Sequence, residues 1–305
     1  MTLDEIEAFV CIAELGGFTK ASERLNRSQP AISRRIALLE AALGAPLFER
    51  VGRGVALTSA GRALLPHAEA ALAAMRDGAK AVRGLGAQAS DALTLAIVGT
   101  LADAHVVGTL RKFQERFMEA RIELRTATSR EVSDLVRRGD ADLGLRYWPD
   151  NDRRLEVSPL GAERLFVVVP AGHRVRTKRV KDIHVFAGDR WLGFPVSRGQ
   201  PESFGRMLET QLIAAGLSEP AITAVDSLTA QKRLVEAGFG VSLMPLSSIR
   251  EELRIGSLRI VEVAALKPEV PVMLVQRRGG YRGATVKALV ELLRADTPRL
   301  LNATP

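Results

Sequence analysis

Between residues 28 and 34 the sequence reads Ser-Gln-Pro-Ala-Ile-Ser-Arg, and further on Arg53 stands between two glycines, Gly52 and Gly54. An amide such as Gln29 can pair with an adenine edge, and a guanidinium such as Arg34 with guanine or with a phosphate. Ser28, Pro30, Ala31 and Ser33 are short and leave room for a surface to come close. An arginine at a hairpin tip suits the narrow, negative minor groove of DNA. The chemistry these residues offer is recognition of base edges and phosphates, with no covalent step.

Such residues need rigid elements to hold them. Thr2-x-x-Glu5 is a capping box that opens a helix in which Leu3, Ile6, Phe9, Val10 and Ala13 share a face, and Gly16-Gly17 stops it. A short helix from Thr19 to Leu25 comes next, and Asn26 and Arg27 make a turn. Ser28 then caps a third helix with Pro30 in its first turn, where a missing N–H costs nothing. Ile32, Ile36, Leu39 and Leu43 form one apolar stripe along it. Pro30, Arg34 and Ala37 face the other way, flanked by Ala31 and Ser33, at the end where the helix dipole is positive. Pro46 to Arg50 and Val55 to Thr58 read as the strands of a hairpin wing with Arg53 at its apex. The whole is a winged helix-turn-helix with double-stranded DNA as its partner. A small helical domain with no nucleic-acid role is the competing reading, and this outer face argues against it.

The totals agree. Of 305 residues, 47% are hydrophobic and 26% charged, the balance of a globular chain of about two domains. The net charge is +8, and residues 20–53 hold seven Lys and Arg against three Glu, so about half of the excess lies in this short stretch. No apolar run approaches a membrane span. The opening MTLDEIEAFV is acidic and amphipathic and lacks the pattern of a signal peptide, so a cytoplasmic protein is expected. The single cysteine, Cys11, permits no internal disulfide and no thiolate metal site, and reads as a small apolar residue of the first helix. His67, His105, His173 and His184 show no metal-ligand spacing and belong to no nucleophile motif, and no phosphate-binding loop is present. No catalytic residue, metal or cofactor is therefore assigned, and an enzyme is disfavoured.

Ser59 to Gly84 can form one long helix. Leu65, Ala68, Leu72, Met75, Ala79 and Val82 repeat at alternating steps of three and four, a heptad seam expected to pair chains. Packing on the chain's own domain is the alternative, and Pro66 lies off the seam. Gly84-Leu85-Gly86 and its neighbours superficially fit a dinucleotide fingerprint. They follow a helix and precede a strand, so they read as a hinge. Beyond residue 90 strands and helices alternate. Strands are expected at Ala92–Val98, Ile122–Leu124, Ala141–Leu145, Leu165–Val169, Val241–Leu243 and Val270–Gln276. Helices are expected after the first strand, with Val106, Leu110, Phe113 and Phe117 in register, and at 130–138, Ser203–Ala215, Leu228–Ala237 and Thr285–Arg294. This is α/β with mostly parallel strands, and its ligands belong beyond the carboxyl ends of strands.

The N-terminal residues resemble the LysR-type transcriptional regulators. The resemblance rests on Phe9 through Glu14, Phe18, Thr19, Ala21, Leu25, Ser28, Gln29, Pro30, Ala31, Ser33, Ile36, Leu39, Glu40, Leu43, Gly44, Leu47, Phe48 and Arg50, with Thr58-x-x-Gly61 continuing it. Ser22 replaces the family's frequent second alanine. More loosely, Gly139 to Leu145 and Gly238 to Pro245 match two later segments, so the resemblance covers nearly the whole chain. It implies a winged helix-turn-helix at 1–58, a dimerising linker helix and hinge at 59–90, and an effector-binding domain at 91–305. That domain would have two lobes like a periplasmic binding protein, lobe one at 91–162 and 268–305 and lobe two at 163–267. Strand ends taken with this likeness nominate Thr100, Thr128, Ser129, Arg146, Tyr147 and Trp148, faced by Pro195-Val196-Ser197-Arg198 with Phe239 nearby. Arg146 and Trp148 suggest a carboxylate-bearing ligand, an organic acid with a ring to stack. The family also implies a dimer of dimers that binds a near-palindromic promoter site and bends it. The rival readings are a ligand-independent architectural DNA binder and a cytoplasmic solute-binding protein. The attached winged helix argues against the second.

Overall fold

Helix α1 (Leu3–Leu15) begins where Thr2 and Glu5 bond each other's backbone, and Gly16 closes it at φ 67°. Ile6, Ala8, Phe9, Val10, Cys11 and Ile12 are buried, whereas Leu3 is exposed. Helix α2 (Phe18–Arg24) and helix α3 (Gln29–Leu43) pack on it, and the turn between them passes through Asn26 at φ 51°, a conformation asparagine tolerates. Strands β1 (Phe48–Val51) and β2 (Gly54–Leu57) pair antiparallel as the wing, with the Phe48 ring in contact with those of Phe9 and Phe18. The structure, a computed structural model, describes residues 1–52, 54–83, 92–102, 104–196, 203–266 and 268–301.

Two expectations for α3 need correction. Ser28 occupies the N-cap position, but its side chain makes no cap hydrogen bond. Leu43 is 43% exposed, because the helix ends at Gly44 before that turn reaches the core, so the stripe ends at Leu39.

Helix α4 (Ser59–Arg83) is continuous through Pro66. Thr58 starts it: the hydroxyl donates to the Pro46 carbonyl (2.6 Å) and accepts from the Gly61 amide (3.0 Å). Gly61 is required there, because a Cβ would lie 2.2 Å from the Leu47 carbonyl oxygen. The heptad seam divides in two. Leu65, Ala68 and Leu72 pack on the chain's own N-terminal core, while Met75, Ala79 and Val82 are exposed.

The remaining chain forms one continuous sheet with two halves. In the first, strand β3 (Leu93–Val98) lies between β4 (Ile122–Ala127) and β5 (Leu143–Tyr147), all parallel, with helices α5 (Ala104–Arg116) and α6 (Ser129–Arg138) connecting them. The second half contains β7 (Arg179–Val180), β8 (Trp191–Gly193), α7 (Phe204–Ala214), β9 (Ile222–Ala224), α8 (Leu228–Glu236), β10 (Val241–Pro245), α9 (Arg250–Ile255) and β11 (Leu258–Val263). The halves are joined by β6 (Leu155–Pro170). Up to Arg164 it pairs with β12 (Glu269–Arg277), and from Leu165 it pairs with β10 and β11. Helix α10 (Ala284–Leu301) returns to the first half beside α5 and β6. The pairings of β6 and β12 are all antiparallel among the described residues, as crossing strands require, and those on either side are parallel.

Candidate functional site

The outer face of α3 is open to solvent. Ser28, Gln29, Pro30, Arg34 and Ala37 are exposed, with Ala31 and Ser33 half-buried beside them. Gln29 Nε2 donates to Ser33 Oγ at 3.2 Å, a weak link that fixes the amide over the first turn. The two adjacent arginines differ. Arg35 reaches back to Asp4 of α1 at 2.6 Å, whereas Arg34 makes no ion pair among the described residues. A guanidinium left exposed and unpaired at the start of a helix is available to an anionic partner. Glu40 was legible as a motif residue but not in its role. Its carboxylate accepts the amide of Leu47 at 2.7 Å and so ties α3 to the wing. Arg53 lies outside the described residues; Gly52 before it turns at φ 58°.

A second site lies where the two halves of the sheet face each other. It is a cleft of about 500 Å³ walled by Thr100, Thr128, Ser129 and Trp148 on one side and by Phe194, Pro195, Phe204 and Ser227 on the other. Helices α6, α7 and α8 all begin at it, with Thr128, Ser203 and Ser227 as their N-caps. The positive ends of the three helix dipoles therefore meet at the cleft, beside the Asp226 carboxylate that also lines it. Phe204 is the centre of the apolar wall, 4.7 Å from the Tyr147 ring and 5.2 Å from Trp148, and Phe194 stands 5.7 Å beyond. Trp148 has φ 57°, a strained value for a bulky residue, held by the hydrogen bond its backbone N–H donates to the Pro271 carbonyl.

The polar residues of the cleft differ in availability. Thr128 Oγ is engaged with Glu131, whose carboxyl is held below the usual range by the Thr128 backbone and hydroxyl. Ser129 Oγ accepts the Tyr147 amide at 3.3 Å. Thr100 Oγ is buried and has no partner among the described residues. A buried hydroxyl without a partner is costly, and a ligand oxygen in the cleft would satisfy it.

Of the described residues expected here, Thr100, Thr128, Ser129, Tyr147, Trp148 and Pro195 line the cleft, and Arg146, Val196 and Phe239 do not. Arg146 is buried on the opposite face of β5, bonded to Ser133 (2.7 Å), to the Tyr147 carbonyl (3.1 Å) and to Asp150. Successive strand residues point to opposite faces, so with Tyr147 at the cleft Arg146 cannot be. Burial opposes ionisation of Asp150, but the Asp152 amide, Ser133 and Arg146 outweigh it and hold the carboxyl below its usual range. Phe239 is 64% exposed at the far end of α8 from Ser227. Ser197 and Arg198 lie outside the described residues. The sequence reading missed Phe194, Phe204, Asp226 and Ser227. For Ser227 the signal was present, a serine just before an amphipathic helix.

Among the described residues no helix is long and apolar enough to cross a membrane, and no group of acids, histidines and cysteine is placed to hold a metal. Residues 3–62 match the family described as "Bacterial regulatory helix-turn-helix protein, lysR family", and residues 86–298 match "LysR substrate binding domain". The chain is 29% identical to the HTH-type transcriptional regulator CbbR of Rhodospirillum rubrum, over 96% of either chain. Its fold is similar to that of a full-length OxyR variant from Pseudomonas aeruginosa, with a TM-score of 0.70 at 22% identity, covering 100% of this chain and 99% of the other. It is also similar to full-length CbnR complexed with its target DNA, with a TM-score of 0.63 at 24% identity, covering 97% of this chain and 100% of the other.

Proposed function

The chain belongs to the LysR family of DNA-binding transcriptional regulators, and from that premise we propose which residues read DNA and what the cleft receives. Ser28, Gln29, Pro30, Ala31, Ser33 and Arg34 form the surface that enters the major groove, and Arg53 reaches the minor groove from the wing. Exposure of this face, with Arg34 unpaired and Arg35 tied to Asp4, supports the assignment. The DNA-binding domain spans 1–58 and the linker 59–90. The effector domain spans 91–305, with lobe two at 163–267. The change of partners along β6 at Arg164 and Leu165, and the return through β12, support that division. Met75, Ala79 and Val82 pair two chains, and two such dimers bind one near-palindromic promoter site in the cytoplasm. The chain acts as a regulator and carries out no enzymatic step.

The effector is a planar organic acid. The buried, unpartnered Thr100 hydroxyl carries this reading, supported by the aromatic wall and the three helix starts around it. Thr100 would meet a ligand oxygen, the helix amides its charge, and Trp148 and Phe204 its ring. A thermal-shift screen of aromatic and aliphatic carboxylates tests it. An aromatic acid should stabilise the wild-type protein, and its affinity should fall about tenfold in Thr100→Val and in Trp148→Ala. An acid that binds all three proteins equally places the ligand elsewhere.

A further inference from the structure

The linker helix α4 lies along the first half of its own effector domain, and the contact is ionic. The Glu69 side chain is only 6% exposed, with Oε2 at 3.2 Å from Arg137 and 3.3 Å from Arg154. Two turns further on, Asp77 meets Arg277 at 2.5 Å and accepts the Tyr281 amide at 2.9 Å. Arg76 reaches Asp140 at 2.9 Å and the Arg138 carbonyl at 2.8 Å. Lys80 meets Asp142 at 2.5 Å, and the other oxygen of that carboxylate accepts the Thr94 amide. Between these rungs the helices touch. At Gly139, where the chain leaves α6 at φ 74°, a Cβ would lie 3.3 Å from that of Ala73. Arg138 adds a 3.0 Å bond to Glu14 of α1, so the same corner also holds the DNA-binding module.

Positions 69, 73, 76, 77 and 80 recur at helical spacing and make one stripe, on the side of α4 away from Met75, Ala79 and Val82. One face of the helix is thus used within the chain while the other stays exposed. Exposed ion pairs each contribute little to stability. Glu69 is different. A carboxylate so withdrawn from water is tolerated only with cations beside it, and losing one leaves a buried uncompensated charge. Its partners come from two separate points, the end of α6 and the start of β6, which fixes the register of the contact.

We propose that lobe one clamps the linker helix of its own chain through this ion-pair ladder, and so sets the angle at which α4 carries the recognition helix. The clamp needs no ligand in the cleft. Its floor is α6, however, whose N-cap Thr128 and first residue Ser129 form part of a wall of that cleft, so one ten-residue helix touches both.

Carbodiimide cross-linking of the unmodified full-length protein tests the clamp. The reagent condenses an amine with a carboxylate already in contact, taking up the water that is lost as it becomes a urea. A Lys80–Asp142 amide should be recovered by peptide mass spectrometry from the monomer band of a denaturing gel. Asp77→Arg and Arg277→Asp should each lower its yield about tenfold, and the double swap should restore it, as coupled partners do. Circular dichroism checks that each variant is folded, and the wild-type result depends on no substitution. Absence of the Lys80–Asp142 amide in the wild-type monomer, its appearance only between chains, or yields indifferent to the reversals would overturn the clamp.

Discussion

Gln29, Arg34 and Arg35 are close in sequence but have different surroundings, and the consequences can be separated. Gln29→Ala should change which base is preferred at one position, by about 1–3 kcal/mol, with little effect elsewhere in the site. Arg53→Ala should weaken binding on every sequence and lower the salt slope by about one. Arg35→Ala should leave sequence preference intact and cost at most about 1 kcal/mol of stability, since Asp4 is an exposed partner. A selection from random duplexes, repeated at two salt concentrations, distinguishes the three. Gly61→Ala acts through stability instead. Its new methyl would collide with the Leu47 carbonyl, and calorimetry should show the DNA-binding module destabilised by about 1–3 kcal/mol. Acid acts with two signs. Asp150 has its carboxyl held below the usual 3.8, so the stability it contributes is present above that pH and is lost as pH falls through the depressed value. Burial, offset in part by Arg138, raises Glu14 above 4.5, so between 4.5 and its folded value acidification stabilises the fold through this group. Thermal unfolding between pH 6 and 3 should therefore show a late acid loss that is smaller in Asp150→Asn.

Elements were legible where local chemistry marks them. The capping box of α1, the glycine stops and the length of α4 can be read directly, and each is formed, whereas the α4 seam is split between the chain's own core and solvent. Strand β6 could be read only over its apolar end. Its first ten residues include Pro159 and Gly161, and Leu160 bulges where the register against β12 shifts, so no alternation survives there. The short strands β7, β8 and β9 carry too few residues for a period to appear. Arg146 shows the same limit at finer grain, since a strand end can be located to within a residue but one residue decides the face. Helix α4 carries its own prediction. Met75 is 56% and Val82 71% exposed, so Met75→Glu with Val82→Glu should dissociate the dimer and leave the melting temperature of the chain almost unchanged. A sedimentation experiment in which the double variant stays dimeric would move the chain-pairing surface to another part of the molecule.

The molecule as a whole joins a reading head that exposes Arg34 to an aromatic cleft holding one carboxylate, Asp226, through a single helix. One face of that helix rests on the chain's own lobe one, and the other is open to a second chain. Two recognition helices carried in this way are related by a two-fold axis, so the DNA they read should share that symmetry. The most direct measurement is a footprint on genomic fragments selected by the full-length protein, with and without the acids that shift its melting temperature. The two-fold arrangement predicts protection of paired half-sites separated by about one helical turn, in a near-palindrome, with a pattern that changes when an acid occupies the cleft. Protection of a single asymmetric site, or binding with no sequence preference, would contradict it.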